Sequence, residues 1–137
     1  MHIVFAANPE ADQPWVADAV VRLARQTGAT VAVLAVDEVE LERLAVLPRS
    51  VYAERAEQAV EAAATRLAAA GVDATRTVLP GRPLERIMEF AEEQRADLIV
   101  VGSSTRPAVA ERLLGSVPLA LIKRSSRPVL VVTHPEP

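Results

Sequence analysis

Short runs of consecutive apolar residues mark the chain at Ile3–Ala7, Val31–Val36, Leu98–Val101 and Val129–Val132, and between them lie longer stretches where apolar residues recur at three- and four-residue spacing. The first run, Ile3 to Ala7, stops at "NPE", which predicts a fully buried strand followed by a turn. Asp12 then offers a helix cap with Pro14 in the first turn. Trp15, Val16, Ala19, Val20 and Leu23 recur at helical spacing until Gly28. Thr30 to Val36, "TVAVLAV", is continuous and β-branched, so a second buried strand is expected, closed by Asp37.

"DEVELERLAVLPRS" reads equally as loop or short helical turn, and Pro48 separates it from the next helix. From Ser50 onwards, Tyr52, Ala56, Ala59, Val60, Ala63 and Leu67 form one stripe of a long helix, with Glu54, Arg55, Glu57 and Glu61 on its wet side and Gly71 as its stop. "DATRTVL" predicts a third strand, and "PGRP" turns into a helix carrying Leu84, Ile87, Met88 and Ala91 on one face. "ADLIVVGSS" is the fourth strand. A last helix has Pro118 near its start and Val117, Leu121 and Leu114 on its apolar face, and "RPVLVVTHP" is the final strand, with "HPEP" as a frayed tail.

Strands alternating with helices imply an α/β fold: a doubly wound, five-stranded parallel sheet in the order 3-2-1-4-5, a three-layer Rossmann-like sandwich. Composition agrees, since half of the 137 residues are hydrophobic but only 3% aromatic, a core of Ala, Val and Leu suited to helix layers on a sheet. The length fits one domain, residues 1–137. A net charge of −3 gives no basic excess for nucleic acid or anionic membrane. No cysteine is present, which removes disulfide, thiol and Cys-based metal chemistry. The opening "MHIVFAANPE" has no basic leader and no apolar run reaches spanning length, so a cytoplasmic location is expected.

In such a sheet the ligand crevice opens beyond the strand carboxyl ends where the strand order reverses, between strands one and four. This sets the turn "ANPE" beside "GSSTRPAVAERLLGS". Gly102 would allow close approach of a ligand to the backbone, and Gly115-Ser116 precede a helix whose unpaired N–H groups suit a phosphate; as a plain alternative, Ser116 merely caps that helix. Neither a P-loop nor a dinucleotide-binding glycine pattern is present. His2 and His134 sit beside terminal strands in structural or exposed roles, and Lys123, Arg124 and Arg127 read as helix-end cations. Asp37 and Glu38 read as an ordinary charged strand end or, alternatively, as facing the cleft. Trp15 packs a helix start near the cleft mouth. Ser103 and Ser104 have no histidine or lysine placed to activate them, so no catalytic residue is assigned.

"ADLIVVGSS", then "ERLLGSVP", then "RPVLVV" together resemble the C-terminal half of the universal stress protein family, and the length and element order extend the resemblance over essentially the whole chain. Nucleotide-binding members carry a Gly, two residues, a second Gly, nine residues, then Gly and Ser or Thr. Here Gly102 matches the first position, and Arg106 to Leu114 give the correct spacing to Gly115 and Ser116. The resemblance implies a site made of Asn8, Val36, Gly102, Ser103, Thr105, Gly115, Ser116 and Val117, for ATP or AMP, with Mg²⁺ if ATP. Three positions depart from the family's pattern. Thr105 replaces the second Gly, Asn8 stands where an Asp holds the ribose, and Pro118 replaces a hydroxylic residue and removes one donor. Glu10 also brings negative charge towards the phosphates.

The resulting expectation is a small, non-enzymatic stress-response module with a degenerate nucleotide site. Its rivals are an ATP- or AMP-sensing module that uses the Gly102–Ser116 loop and, more weakly, a slow ATP hydrolase. The apolar final strand, Val129, Leu130, Val131 and Val132, lies at a sheet edge and predicts a homodimer through that edge, without nucleic-acid or membrane partners.

Overall fold

The computed structural model describes residues 1–38, 48–103 and 115–135. Its elements are β1 (His2–Ala6), α1 (Pro14–Thr27), β2 (Thr30–Glu38), α2 (Arg49–Ala69), β3 (Ala74–Gly81), α3 (Pro83–Glu93), β4 (Leu98–Gly102), α4 (Ser116–Arg124) and β5 (Val129–Val132). All strand pairs are parallel and the order is β3-β2-β1-β4-β5, as the alternation of elements predicts. The central strand β1 runs against β2 on one side, Val4 beside Ala32, and against β4 on the other, Val4 beside Ile99.

The unbroken apolar runs have a direct cause: both faces of the inner strands are covered, so neither face selects polar residues. Ile3, Phe5, Val33, Ala35 and Val100 face a layer formed by Val16 and Val20 of α1 and by Ala56, Val60 and Leu67 of α2. The alternate residues Val4, Leu34, Val36, Ile99 and Val101 face Ile87, Phe90 and Ala91 of α3 and Leu121 of α4. Each of these fully buried Val, Leu or Ile side chains contributes about 1.5–3 kcal/mol over its exposed state. Two thin layers of aliphatic side chains, one on each face of the sheet, therefore hold the fold.

Several boundaries differ from the sequence reading. The α1 cap is Gln13 rather than Asp12, because Pro14 takes the first helical position, where its fixed φ and missing N–H cost nothing. Strand β2 continues through Asp37 and Glu38, which pair with Pro80 and Gly81 of β3. "PG" is thus strand rather than turn, and β3 lies at the sheet edge, where a proline is tolerated. Ser116 does not cap α4; Gly115 holds the cap position and Ser116 is the first helical residue. Residue Leu114 and most of "DEVELERLAVLPRS" lie outside the described residues.

Of the "HPEP" tail, Glu136 and Pro137 lie outside the described residues, whereas His134 and Pro135 are placed. His134 packs its ring 4.3 Å from that of Trp15 at the start of α1, and its Nδ1 lies 2.7 Å from the Pro135 carbonyl. His2 is structural: its ring lies within hydrogen-bond distance of Thr30 Oγ1 at 2.6 Å and Gln94 Oε1 at 2.9 Å, joining β1 to the start of β2 and to the C-terminal cap of α3. Arg127 bonds Glu92 and the Ala96 carbonyl, a fixed position rather than an open anion site.

Candidate functional site

At the carboxyl ends of β1, β2 and β4, where successive crossovers diverge to opposite faces, the structure opens a cleft of about 170 Å³. Its floor is aliphatic, with Ala6, Leu34, Val36 and Val101 from the strands and Ile87, Val117 and Pro118 from α3 and α4. The rim is polar, with Asn8, Glu10, Glu38 and Arg55. An apolar slot with a few polar groups at its mouth takes a flat, weakly polar moiety inside and leaves charged groups at the opening.

The turn after β1 forms one wall. Asn8 Oδ1 accepts the Glu10 backbone N–H at 2.8 Å, an Asx turn that fixes the loop. One lone pair of its acceptor is committed to the turn, which leaves Asn8 the second lone pair and the amide Nδ2 for a ligand. Glu10 lines the cleft, consistent with the negative charge anticipated there.

The opposite wall is the start of α4. Gly115 has φ 87° and ψ 162°, a backbone conformation that is essentially restricted to glycine. The N–H of Leu119 donates back to its carbonyl at 3.2 Å. Pro118 is buried in the first turn, where its missing N–H removes no helical hydrogen bond but does remove one donor that a phosphate could use.

Of the residues assigned from the sequence, Asn8, Val36, Gly102 and Val117 line this one cleft. Ser103 is buried at 4% exposure and is not part of the lining. Gly115 and Ser116 sit immediately before Val117 without lining it, and Thr105 lies outside the described residues. Gly102 also meets α1: a Cβ there would collide with Gln13 Oε1 and lie 2.8 Å from Val16 Cγ2, so the start of α1 uses the space that the glycine leaves. Asp37 and Glu38, read as a charged strand end, separate by strand alternation: Glu38 faces the cleft, and Asp37 is buried on the opposite face.

Sequence reasoning missed the α2 contribution. Tyr52 is buried and lines the cleft, and the Arg55 guanidinium lies 5.6 Å from the Tyr52 ring centroid at its rim. The available signal was positional, since the first turns of a crossover helix begin at the carboxyl end of the sheet, but Arg55 reads as merely wet on a helical wheel.

A second cavity, about 270 Å³, lies behind the same turn between α1 and α2. Arg66 stands on its wall in a two-pronged bond to Asp18, 2.8 and 3.1 Å. That hydrogen bond, opposed by slight desolvation and aided by the guanidinium charge, holds the Asp18 carboxyl below its ordinary range. Among the described residues no group of three His, Cys, Asp or Glu is placed to hold a metal ion, and no helix is long and apolar enough to cross a membrane.

Comparison with known proteins is consistent with this geometry. Universal stress protein MJ0531 of Methanocaldococcus jannaschii is 44% identical over 66 residues, 48% of this chain and 39% of that protein, so the match spans less than half the relative's length. A universal stress protein from Archaeoglobus fulgidus superposes with a TM-score of 0.79 at 23% identity, over 97% of this chain and 98% of that one, a likeness of fold. A universal stress protein crystallised in complex with cAMP superposes with a TM-score of 0.70 at 27% identity, over 96% and 95% of the two chains. The sequence profile described as the universal stress protein family matches residues 1–133, and with the fold and element order above this means that the chain belongs to the universal stress protein family.

Proposed function

We propose that this chain is a non-catalytic stress-response module that binds an adenine nucleotide in the switch-point cleft and acts as a homodimer through β5. The observation that carries the nucleotide reading is the cleft itself, an aliphatic slot at the strand-order reversal with the Asn8 amide on one wall and the glycine-dependent start of α4 on the other. Its volume of about 170 Å³ is below the roughly 300–1,000 Å³ of pockets that enclose a whole drug-sized ligand. It suits a base and part of a sugar, with phosphates outside near Gly115 to Val117. The cAMP complex of the 27%-identical neighbour supports the same class of ligand. AMP and ATP are the candidate ligands, with Mg²⁺ accompanying ATP.

The test is to purify the protein without added nucleotide, denature it, identify what is released, and titrate the emptied protein with AMP, cAMP and Mg²⁺-ATP by calorimetry. Stoichiometric nucleotide or saturable binding supports the reading. An empty protein with no heat of binding for any of the three removes it.

The dimer rests on a separate observation. β5 has no strand on its outer side among the described residues, and Leu130 of β5 and Leu119 and Ile122 of the adjacent α4 are exposed at 36%, 36% and 50%. An uncovered apolar edge is a liability that a second copy removes by antiparallel pairing about a two-fold axis. Val131→Lys should give a monomer by light scattering; an unchanged dimer mass rejects this interface.

A further inference from the structure

The Gln13 side chain does not cap the helix it precedes. It reaches across to the end of β4 instead, where Nε2 donates to the Ser103 carbonyl at 2.9 Å in a partly buried bond. The carboxamide lies in the space that the missing side chain of Gly102 leaves, with Oε1 where it would collide with a Cβ. Ser103 is held from the other side as well, since its N–H donates to the Val132 carbonyl of β5 at 2.9 Å. The peptide at which the chain leaves the sheet beside the cleft is therefore gripped between β5 and one side chain at the start of α1.

We infer that Gln13 is a positioning residue for the nucleotide cleft: its carboxamide bonds Ser103 and packs on Gly102, the residue of this strand end that lines the cleft. The inference rests on the nucleotide reading above. Glycine at 102 and glutamine at 13 form one device, in which the glycine makes room and the amide fills it with a directed hydrogen bond. A residue of the same volume without a donor should keep the packing and lose the direction. A carboxylate should do worse, because it would turn an acceptor towards an acceptor.

The experiment compares Gln13→Met and Gln13→Glu with the unaltered chain, reading cAMP affinity by calorimetry, Tm, and the amide exchange of Ser103 by NMR. Loss of one partly buried hydrogen bond should weaken binding about three- to tenfold in the Met variant, and more in the Glu variant. Tm should fall by only about 2–4 °C, and Ser103 protection should fall. Gly102→Ala should expel the carboxamide by itself, so adding Gln13→Met to Gly102→Ala should cost no further affinity; a residue important only for packing would give additive losses. Wild-type affinity in Gln13→Met, or additive losses in the double variant, overturns the inference. If the unaltered chain binds no nucleotide, the functional reading fails on its own. The Gln13 clamp is then upheld by a fall in Ser103 protection in Gln13→Met and overturned by unchanged protection.

Discussion

The two cavities on either side of the Ala7–Glu10 turn differ in what bounds them. The larger, about 270 Å³, is bounded by Ala17 of α1 and Ala59, Ala62 and Ala63 of α2, small residues that leave two crossing helices incompletely filled. Its Arg66 is already neutralised by Asp18. The smaller, about 170 Å³, is bounded by strand ends and by a helix start whose glycine adopts a strained conformation. Size favours the first, but only the second lies at the crevice that the reversal of strand order opens, the place where open α/β sheets bind ligands.

The contrast can be broken most decisively by filling each cavity in turn. Val117→Trp, which plugs the cleft, should weaken nucleotide binding about a hundredfold, whereas Ala59→Met, which fills the gap between helices, should leave affinity within about twofold. Calorimetry with cAMP on both variants is the check, and equal losses would mean that the cavities act as one. Next in size, Gly115→Ala should reduce affinity about tenfold, since a side chain at φ 87° strains the start of α4 by about 1–3 kcal/mol. Circular dichroism should report an intact fold in this variant.

Smaller again is the charge at the rim. Glu10→Gln should strengthen ATP binding about two- to fivefold at low salt and cAMP binding less, because the two ligands differ in the negative charge they bring past Glu10. A titration series at low and at high salt reads the difference. The smallest effect belongs to the gap side. Arg66 lowers the Asp18 pKa, so the pair contributes stability above the ordinary aspartate value, and that contribution is lost as pH falls through the depressed value in the folded state. Asp18→Asn should therefore lower Tm slightly at neutral pH and flatten its decline below about pH 4. Both groups are half exposed, so solvent screening keeps the change small.

The fold was legible because β1, β2 and β4 are buried on both faces and leave unbroken apolar runs, while Gly28 and Gly71 stop helices where their positive φ requires them. Legibility failed where a local rule met a tertiary partner. Asp12 is a better cap than Gln13 by propensity, yet Pro14 sets the helix start and the Gln13 side chain is committed to Ser103. Pro80 and Gly81 look like a turn, but an edge strand accepts them. At the site, the turn holding Asn8 and the strand end at Gly102 were readable from element order, while Val36 and Val117 were named only through the family resemblance; all four line the cleft. Tyr52 and Arg55 were not legible, because the face that α2 turns to the cleft depends on how α2 packs, and no short motif encodes that. That Gly102 also makes room for α1 was not legible, because the contact with Gln13 and Val16 is tertiary.

Trp15, the chain's single tryptophan, rests against His134 two residues away from Gln13. The molecule consequently carries its own optical reporter: the emission of one indole records whether the segment after β5 is seated over the start of α1. Any ligand or second copy that shifts β5 against α1 would announce itself as a change in intrinsic fluorescence, with no label attached.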